Sequence, residues 1–578
     1  MSPADRSLVA AEALEQALGD PLDDHLAGSF RASVCADQDG RFPQQLCTAA
    51  LEWGLAEHLL PTQLGGQLQS LETCLALSRV LSRRDLTAAI AFGASMLASI
   101  PVWLRGNAPQ REAVGQALRE GGFLAFALSE RDHGADIAAS EVTAHRNAAG
   151  DWCIDGAKWL INNAGHAVGV TVAARTGTGL RGLTLFLLLD TDADTQRWTR
   201  LQKIKTHGVR GSALGGISLS GQPAGSGSIV GKLGEGMEIL LKTLEITRVL
   251  VAGFALGALD TCLRVAVSFS HSRRLYGQPI LELEPVVRRL VDAYADVLIG
   301  ETLAVAACRA AHIRPDQLPL MSACVKYLVP QLSNDSIEAL SVVLGARSYL
   351  AEGLWHGIFE KMRRDCAVTS LFDGSAPVNL SSILGQLPSL ARARDKRTVG
   401  VLPAALFARL PTELPWIAEQ NLDLGTDFDA VHAGIDAARS VIEHEVVTEH
   451  SRELLTLLER FTIETVLLDK EIEKNTADTD WQRSGAAHDL AARYCHLHAA
   501  GACALKWLSW RMESSDSFIS SGAWLVLCLR RLAVRLGLET VAFDGVERAA
   551  MARLEQAYDR HQMFSDLDFQ LSVSAIEK

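Results

Sequence analysis

The sequence predicts a mainly α-helical protein with a central antiparallel β-domain and an extra helical domain toward its C-terminal end. Three observations predict it. Apolar residues recur at three- and four-residue spacing from Arg41 to Glu120 and again from Glu235 to Gln386. Between these stretches, from Gly122 to about Ile229, the period falls to two. Beyond a basic stretch at 389–402 that lacks an apolar stripe, the helical period returns over 427–565.

A chain of 578 residues is too long for one core. Five segments are expected: a helical domain at 1–121, the β-domain at 122–230, a helix bundle at 231–388, a linker at 389–426 and a helical extension at 427–578. Hydrophobic residues make up 48%, enough to fill globular cores. The net charge of −13 argues against a nucleic-acid partner. The eleven cysteines form no Cys-x-x-Cys pair and read as core residues of a reducing compartment. Asp5, Glu12, Glu15, Asp20, Asp23 and Asp24 make the opening acidic, unlike a secretory or transit peptide. The apolar stretch Gly522–Leu529 is too short to span a bilayer, and a cytoplasmic location is expected.

The elements follow in order. Leu46, Ala49, Ala50 and Trp53, then Leu75, Leu77, Val80 and Leu81, then Met96, Ile100 and Trp103 keep helical spacing between the breaks Pro43, Pro61 and Pro109. Phe123–Leu128 reads as a buried strand. Val142–His145 and Trp152–Ile154 flank a turn at 148–151 and read as a hairpin, with further strands at Val168–Ala174 and Leu183–Leu189. The glycines of 225–231 lack the spacing of a dinucleotide fingerprint and read as a flexible crossover. Glu235–Ser272 is one long helix that opens the bundle, with Leu240, Leu244, Val251 and Phe254 turned inward. No repeat of fixed period is visible.

Chemistry concentrates at Arg364–Ser375. Asp373 sits between Phe372 and Gly374. A carboxylate on a glycine turn beside apolar groups is a candidate general base, because desolvation raises its pKa toward the working range. Asp-Gly is also a common turn dipeptide, so an ordinary exposed turn is the competing reading. His488, Cys495, His496 and His498 crowd one helical stretch. They lack a second ligand pair of matching spacing, so no metal is expected. Trp507 and Trp510, with Arg511, Arg530, Arg531 and Arg535 nearby, read as core or as a face for peripheral membrane contact.

Four motifs occur in order: Phe126–Asp136, Gly156–Ala164, His271–Ile280 and Arg364–Ser375. Together with the order helices, β-domain, bundle, they resemble the acyl-CoA dehydrogenase family from about residue 40 to residue 390. The first is similar to Tyr-x-x-Thr-Glu-Pro-x-x-Gly-Ser-Asp. The match implies that Phe126, Leu128 and Ser129 lie along the isoalloxazine of FAD, followed by Gly134 and by Ala135, which replaces a hydroxyl residue. The second is similar to Gly-x-Lys-x-Trp-Ile-Thr-Asn and implies flavin contacts from Leu160, Ile161 and Asn162. Leu160 replaces the covering tryptophan and Asn162 the threonine near the reactive nitrogen. Trp159 is one place early and, by strand alternation, should face the other side. In the third, Arg273 and Tyr276 take the places that bind the flavin nucleotide of a neighbouring subunit. In the fourth, Asp373 stands at the catalytic glutamate. Phe372 and Gly374 are implied to meet the substrate, and Ser375 and Asn379 the flavin. Gly345 lies in an eroded glycine-rich segment, where Ala346 and Ser348 replace glycines, and is implied to meet the adenylate half. Arg248 is implied to contact substrate. Thr247 before it excludes the variant whose glutamate sits there.

The resemblance implies FAD-dependent α,β-dehydrogenation of an acyl thioester carried on CoA or an acyl carrier protein. Electrons would pass to an electron-transfer flavoprotein or another acceptor. The backbone N–H of Asp373 and a ribityl hydroxyl would hold the thioester carbonyl. Aspartate is shorter than glutamate by one carbon–carbon bond, ~1.5 Å. A shifted loop, a differently seated substrate, or the chemistry of nitroalkane oxidases, which use an aspartate here, would each account for it. A catalytically inactive member acting as a binding scaffold is the other class. The extension resembles that of very-long-chain acyl-CoA dehydrogenases and of some carrier-protein dehydrogenases of lipopeptide and polyketide biosynthesis, and implies a homodimer. The acidic charge disfavours acidic carrier proteins as partners, unless the local basic patch of Arg392, Arg394, Lys396 and Arg397 docks them.

Overall fold

The computed structural model describes residues 3–573 except 190–197, 396–403, 410–413, 418, 446–447, 476–477, 479 and 539–543. The chain divides into a sheet unit, Asp24–Gln69 with Asp85–Thr247, and a helical unit, Met1–Asp23 with Ser70–Arg84 and Arg248–Lys578. These boundaries differ from the five expected segments. The helix Leu71–Arg84 belongs with the bundle because its arginines are buried there: Arg79 pairs with Glu301 at 2.6 Å and Arg83 with Asp260 at 2.7 Å. A buried guanidinium needs such a partner, so the helix follows its carboxylates.

In the sheet unit the strands are β1 (Leu124–Ala127), β2 (Thr143–Arg146), β3 (Trp152–Ile161), β4 (Gly169–Arg175), β5 (Leu183–Leu189), β6 (Trp198–Arg200), β7 (Gly215–Ala224) and β8 (Ile229–Val230). They form one sheet in the order β6-β7-β3-β2-β4-β5-β8, with β1 on β4. The expected hairpin is present, with Arg146 opposite Trp152. Asn147 Oδ1 accepts the N–H groups of Ala149 and Asp151, both at 2.9 Å, which turns the chain locally. The expectation of a purely antiparallel domain needs correction. β1 pairs with β4 in parallel, Leu124 opposite Gly169, and β2 meets β4 in parallel at Thr143 and Arg175. Parallel pairing joins segments far apart in sequence, so no turn signal announces it.

The segment 225–231 is more ordered than a flexible crossover. A 3₁₀ turn at Ser226–Ser228 leads into β8, which pairs with β5, and the Gln110 side chain donates to the carbonyls of Gly227 and Ile229. Strand alternation splits β1 between two cores. Ala125 and Ala127 pack with Trp152, Ile154 and Phe186, while Leu124 and Phe126 pack with Ala98, Val102 and Leu118. Helices Leu86–Arg105 and Gly236–Ser272 are long and apolar enough to cross a membrane. Their most apolar windows are 83% and 100% buried, as in core helices.

The helical unit is built on the long helix from Arg248 to Ser272 with Glu284–Ile313 and Leu318–Leu344, followed by Ile358–Cys366, Ala376–Asp395 and the helices of the extension from Gly434 to Asp559. Residues 389–395 continue a helix instead of starting a linker. Leu387 and Leu390 stay buried, and Arg394 grips Asp469 with two guanidinium nitrogens. Lys396 and Arg397 lie outside the described residues. Trp507 and Trp510 are core, donating to the carbonyls of Ile519 and Phe407, so they offer no membrane face. Arg530 and Arg531 are likewise turned onto carboxylates, Arg530 onto Glu453, Asp544 and Glu547, and Arg531 onto Asp296.

In the histidine-rich helix, His498 and Asp429 are fully buried and meet at 2.7 Å, and Tyr494 donates to the same carboxylate at 2.6 Å. Burial lowers the His498 pKa, but Asp429 outweighs it and holds the ring protonated up to about 9. A pKa raised on folding contributes stability that is complete below the unfolded value, about 6.5, and lost as pH rises through the folded one. The helical unit should therefore lose stability between about pH 6.5 and 9. Asp429→Asn should lower the melting midpoint at neutral pH and flatten that decline. Thermal unfolding of both proteins over this range tests it, and parallel curves would refute it.

Candidate active site

The helix Ile358–Cys366 is fixed before the loop begins. Lys361 and Asp365, both buried, pair at 2.7 Å, and Arg364 holds Glu360. The Arg364-Asp365 pair of the sequence is therefore an anchor. A 3₁₀ turn at Ala367–Ser370 follows. The chain then passes through the left-handed region twice, at Asp373 with φ +53° and at Gly374 with φ +92°. Glycine adopts this freely and aspartate at modest cost.

Side chains from three helices hold this turn by its carbonyl groups. Arg248 Nε donates to the Asp373 carbonyl at 3.4 Å. Lys326 Nζ donates to the carbonyls of Thr369 at 2.9 Å and Gly374 at 3.1 Å. Asn379 Nδ2 donates to those of Gly374 and Ser375 at 2.9 and 3.0 Å. A β-carbon at Gly374 would crowd Asn379 and Arg248 at 3.3 and 3.4 Å. Phe372 is half-buried, its ring 6.3 Å from that of Phe254 and 5.7 Å from Lys326 Nζ. Asp373 is likewise half-buried, so it is not a plain exposed turn residue.

The structure thus gathers Asp373, Gly374, Ser375, Phe372, Arg248 and Asn379. Asn379 differs from expectation. It is fully buried with its amide spent on the loop, and its Oδ1 has no partner among the described residues. It supports the turn and offers no surface to a flavin. Arg273 precedes a small hairpin, β9 (Arg274–Leu275) with β10 (Gln278–Pro279), whose tip is Tyr276 at φ +52° and 98% exposed. Gly345, φ +60°, opens the exposed turn Gly345–Tyr349, where the Arg347 guanidinium lies 5.5 Å over Phe269.

In the sheet unit the first two motifs are stapled together. The Trp159 N–H donates to the Ser129 carbonyl at 2.9 Å, and Ser129 Oγ donates to the Trp159 carbonyl at 3.1 Å. The buried Lys158 Nζ reaches the Leu128 carbonyl, the Glu130 carboxylate and Ser140 Oγ at 2.9, 2.7 and 3.1 Å. Leu128 and Asn162 are half-buried, and Gly134 and Ala135 are exposed. Leu160 is 42% exposed at φ +59°, where the β3–β7 register slips between Trp159 and Ile161. This bulge breaks the strict alternation expected for Trp159. Phe126 and Ile161 are core residues, 7% and 2% exposed.

Burial would raise the Glu130 carboxyl, but hydrogen bonds from Lys158, Ser140 and the Glu141 N–H outweigh it and hold its pKa down at about 2. A depressed carboxyl stabilises above its unfolded pKa, about 4.3, and the contribution fades as pH falls toward the folded value. Glu130→Gln should therefore lower the melting midpoint at pH 7, the gap should narrow below about pH 4, and the two proteins should converge only below about pH 2. Midpoints that stay equally far apart in acid would contradict this.

Sequence reasoning gave no site role to Lys326, Lys158, Glu130 or Phe254. One signal was available: Lys326 is the only charged residue in Leu318–Leu332, and a lone charge in an apolar helix needs a buried partner.

Comparison with known proteins agrees with this geometry. Residues 125–221 match the acyl-CoA dehydrogenase middle domain and residues 234–387 the acyl-CoA dehydrogenase C-terminal domain. Human mitochondrial short-chain specific acyl-CoA dehydrogenase is 27% identical over 365 residues, covering 62% of this chain and 86% of that protein. Butyryl-CoA dehydrogenase from Megasphaera elsdenii superposes with a TM-score of 0.60 at 23% identity, over 65% of this chain and 98% of that one. An acyl-CoA dehydrogenase from Bacillus anthracis, solved in complex with FAD, extends the likeness in fold to 97% of this chain and 96% of its own. It has a TM-score of 0.74 at 16% identity. Residues 125–387 thus carry, in order, the middle and C-terminal domains of the acyl-CoA dehydrogenase family of oxidoreductases.

Proposed function

We propose that this protein carries out FAD-dependent α,β-dehydrogenation of an acyl thioester, with Asp373 taking the α-proton. The observation that carries the reading is the Asp373 turn, a carboxylate residue at φ +53° whose own carbonyl is held by Arg248 and whose neighbour's, at Gly374, is held by Lys326 and Asn379. Such strain persists where the surroundings over-determine it, which is characteristic of functional sites.

The donors present fit FAD. In the sheet unit Leu128 and Leu160 offer apolar surface for a flat ring, with Ser129 and Asn162 as polar groups beside it. In the helical unit the Arg273 guanidinium suits a pyrophosphate. Gly345 leaves open space where a side chain would otherwise stand. Phe126, Ile161 and Asn379 have their side chains buried, so in this reading they support the cofactor site from behind. When bound, FAD supplies the two-electron acceptor for the hydrogen leaving the β-carbon.

The chain's own residues do the rest. Asp373 accepts the α-proton, its backbone N–H is assigned to the thioester carbonyl, and Phe372 with Phe254 forms an apolar wall beside the base. The thioester is carried on CoA or an acyl carrier protein, and an electron-transfer flavoprotein or another acceptor reoxidises the protein. The fully exposed Tyr276 at a hairpin tip, free to meet a second copy, favours a homodimer.

Aspartate in place of glutamate favours a second reading, in which the same base takes a proton from a nitroalkane. Anaerobic mixing with acyl-CoA, acyl-carrier and nitroalkane panels, following the flavin absorbance, separates the two. Bleaching by thioesters supports the first reading. Bleaching by nitroalkanes alone supports the second, and a protein that binds no flavin contradicts both.

A further inference from the structure

Lys326 is 2% exposed and stands one helix away from the Asp373 turn in the same unit. An ammonium that has lost its water must place three N–H groups. The carbonyls of Thr369 and Gly374, which bracket Asp373 in sequence, take two of them. These carbonyl dipoles offset part of the cost of burying a cation, and a neighbouring carboxylate offsets more. The charged groups facing Lys326 are Asp373, which favours the ammonium, and Arg248, which opposes it. The Phe372 ring closes another side at 5.7 Å. Asn334, on the same helix, donates to Ser370 Oγ at 3.0 Å, so this helix grips the loop at both ends.

We propose that Lys326 is a positioning residue for Asp373: it fixes the backbone of loop 369–374 from within the helical unit, and its charge keeps the Asp373 carboxylate ionised when an apolar acyl chain dries the site. The proposal rests on the dehydrogenase reading for its catalytic meaning, and on hydrogen bonds and burial for its structure. Two consequences follow. The base form of Asp373 is maintained by the protein and does not depend on substrate charge. Moreover, the support weakens in alkali, because burial, opposed by Asp373 and assisted by Arg248, brings the Lys326 ammonium down to about 8. The neutral amine still has N–H groups for both carbonyls, so loop geometry outlasts the charge.

The test uses Lys326→Met and Lys326→Arg in the full-length flavin-loaded protein. An opposite charge close by lowers a carboxyl pKa by roughly one to three units, so its loss should raise that pKa. The acid limb of the single-turnover bleaching rate should move up by about one pH unit or more in Lys326→Met and stay near its wild-type position in Lys326→Arg. A purely structural role would slow bleaching equally at every pH and leave the limb in place, which would overturn the charge role.

A second readout needs no turnover. In a double-mutant cycle with Asp373→Asn, followed by unfolding, the combined loss should fall short of the sum of the single losses, because the second charge is removed after its partner has gone. Additive losses would overturn the pairing. If no thioester bleaches the wild-type flavin at any pH, the dehydrogenase reading fails and the cycle alone decides the pairing. If Lys326→Met does not fold, Lys326→Gln takes its place in both experiments.

Discussion

Asp373→Asn is expected to retain bound flavin and to slow thioester-driven bleaching by about 10²–10⁴-fold, the usual contribution of a general base. The substitution keeps shape and size and leaves the backbone bonds from Arg248, Lys326 and Asn379 in place, because those bonds end on carbonyl groups and not on the Asp373 side chain. Loss of rate with flavin retained therefore isolates the proton transfer. Asp373→Glu is the complementary change. The loop cannot easily withdraw, so the carboxylate would be pushed forward by ~1.5 Å. Misplacement of that order costs up to roughly a hundredfold. A glutamate variant faster than wild type would show instead that the aspartate is a compromise in reach.

The largest stability effect is expected from Asp260→Ala. Asp260 is wholly buried and takes Arg83 at 2.7 Å and the Phe564 N–H at 2.9 Å, with Arg264 and Arg79 at 3.8 and 4.0 Å. Burial alone would raise its carboxyl, but these three arginines hold it below the ordinary range. Alanine would leave buried guanidinium groups sharing too few carboxylates, a loss of about 3–5 kcal/mol. It would also release the C-terminal strap. Arg79 and Arg264 hold the carbonyls of Phe564 and Gln562, and Asp566 bonds Lys506 at 2.7 Å and the Trp524 indole at 3.1 Å. The melting midpoint of the helical unit should fall by several degrees. Proteolysis should remove the last residues first. An unchanged midpoint would mean that the arginines find new partners.

Much of this architecture could be read along the chain. The helical period located the helices, the period of two located β1 to β5, and the long helix began within one residue of its expected start. What escaped depends on partners distant in sequence. The parallel β1–β4 pairing has no connecting turn to signal it. The last two turns of the helix Ala376–Asp395, from residue 389, looked like a linker because Arg392 and Arg394 interrupt the apolar pattern, yet Arg394 is paired with Asp469 on another helix. The strap after Asp559 has neither period. The site divides in the same way. Motif matching singled out Asp373, Arg248, Ser129 and Leu160, and it gave ligand roles to Phe126, Ile161 and Asn379, whose side chains the fold buries in a core or spends on holding the loop. Motifs give residue identity at a position, whereas burial decides whether a side chain can reach a ligand.

One measurement tests the central claim most directly: a single anaerobic turnover, with the protein in excess over an acyl thioester, read by mass spectrometry of the acyl group together with the flavin spectrum. The account predicts an acyl chain lighter by one pair of hydrogens and a bleached flavin in the wild type, with both changes suppressed in Asp373→Asn. An acyl chain recovered unchanged across the thioester panel, with the flavin still oxidised, would contradict it.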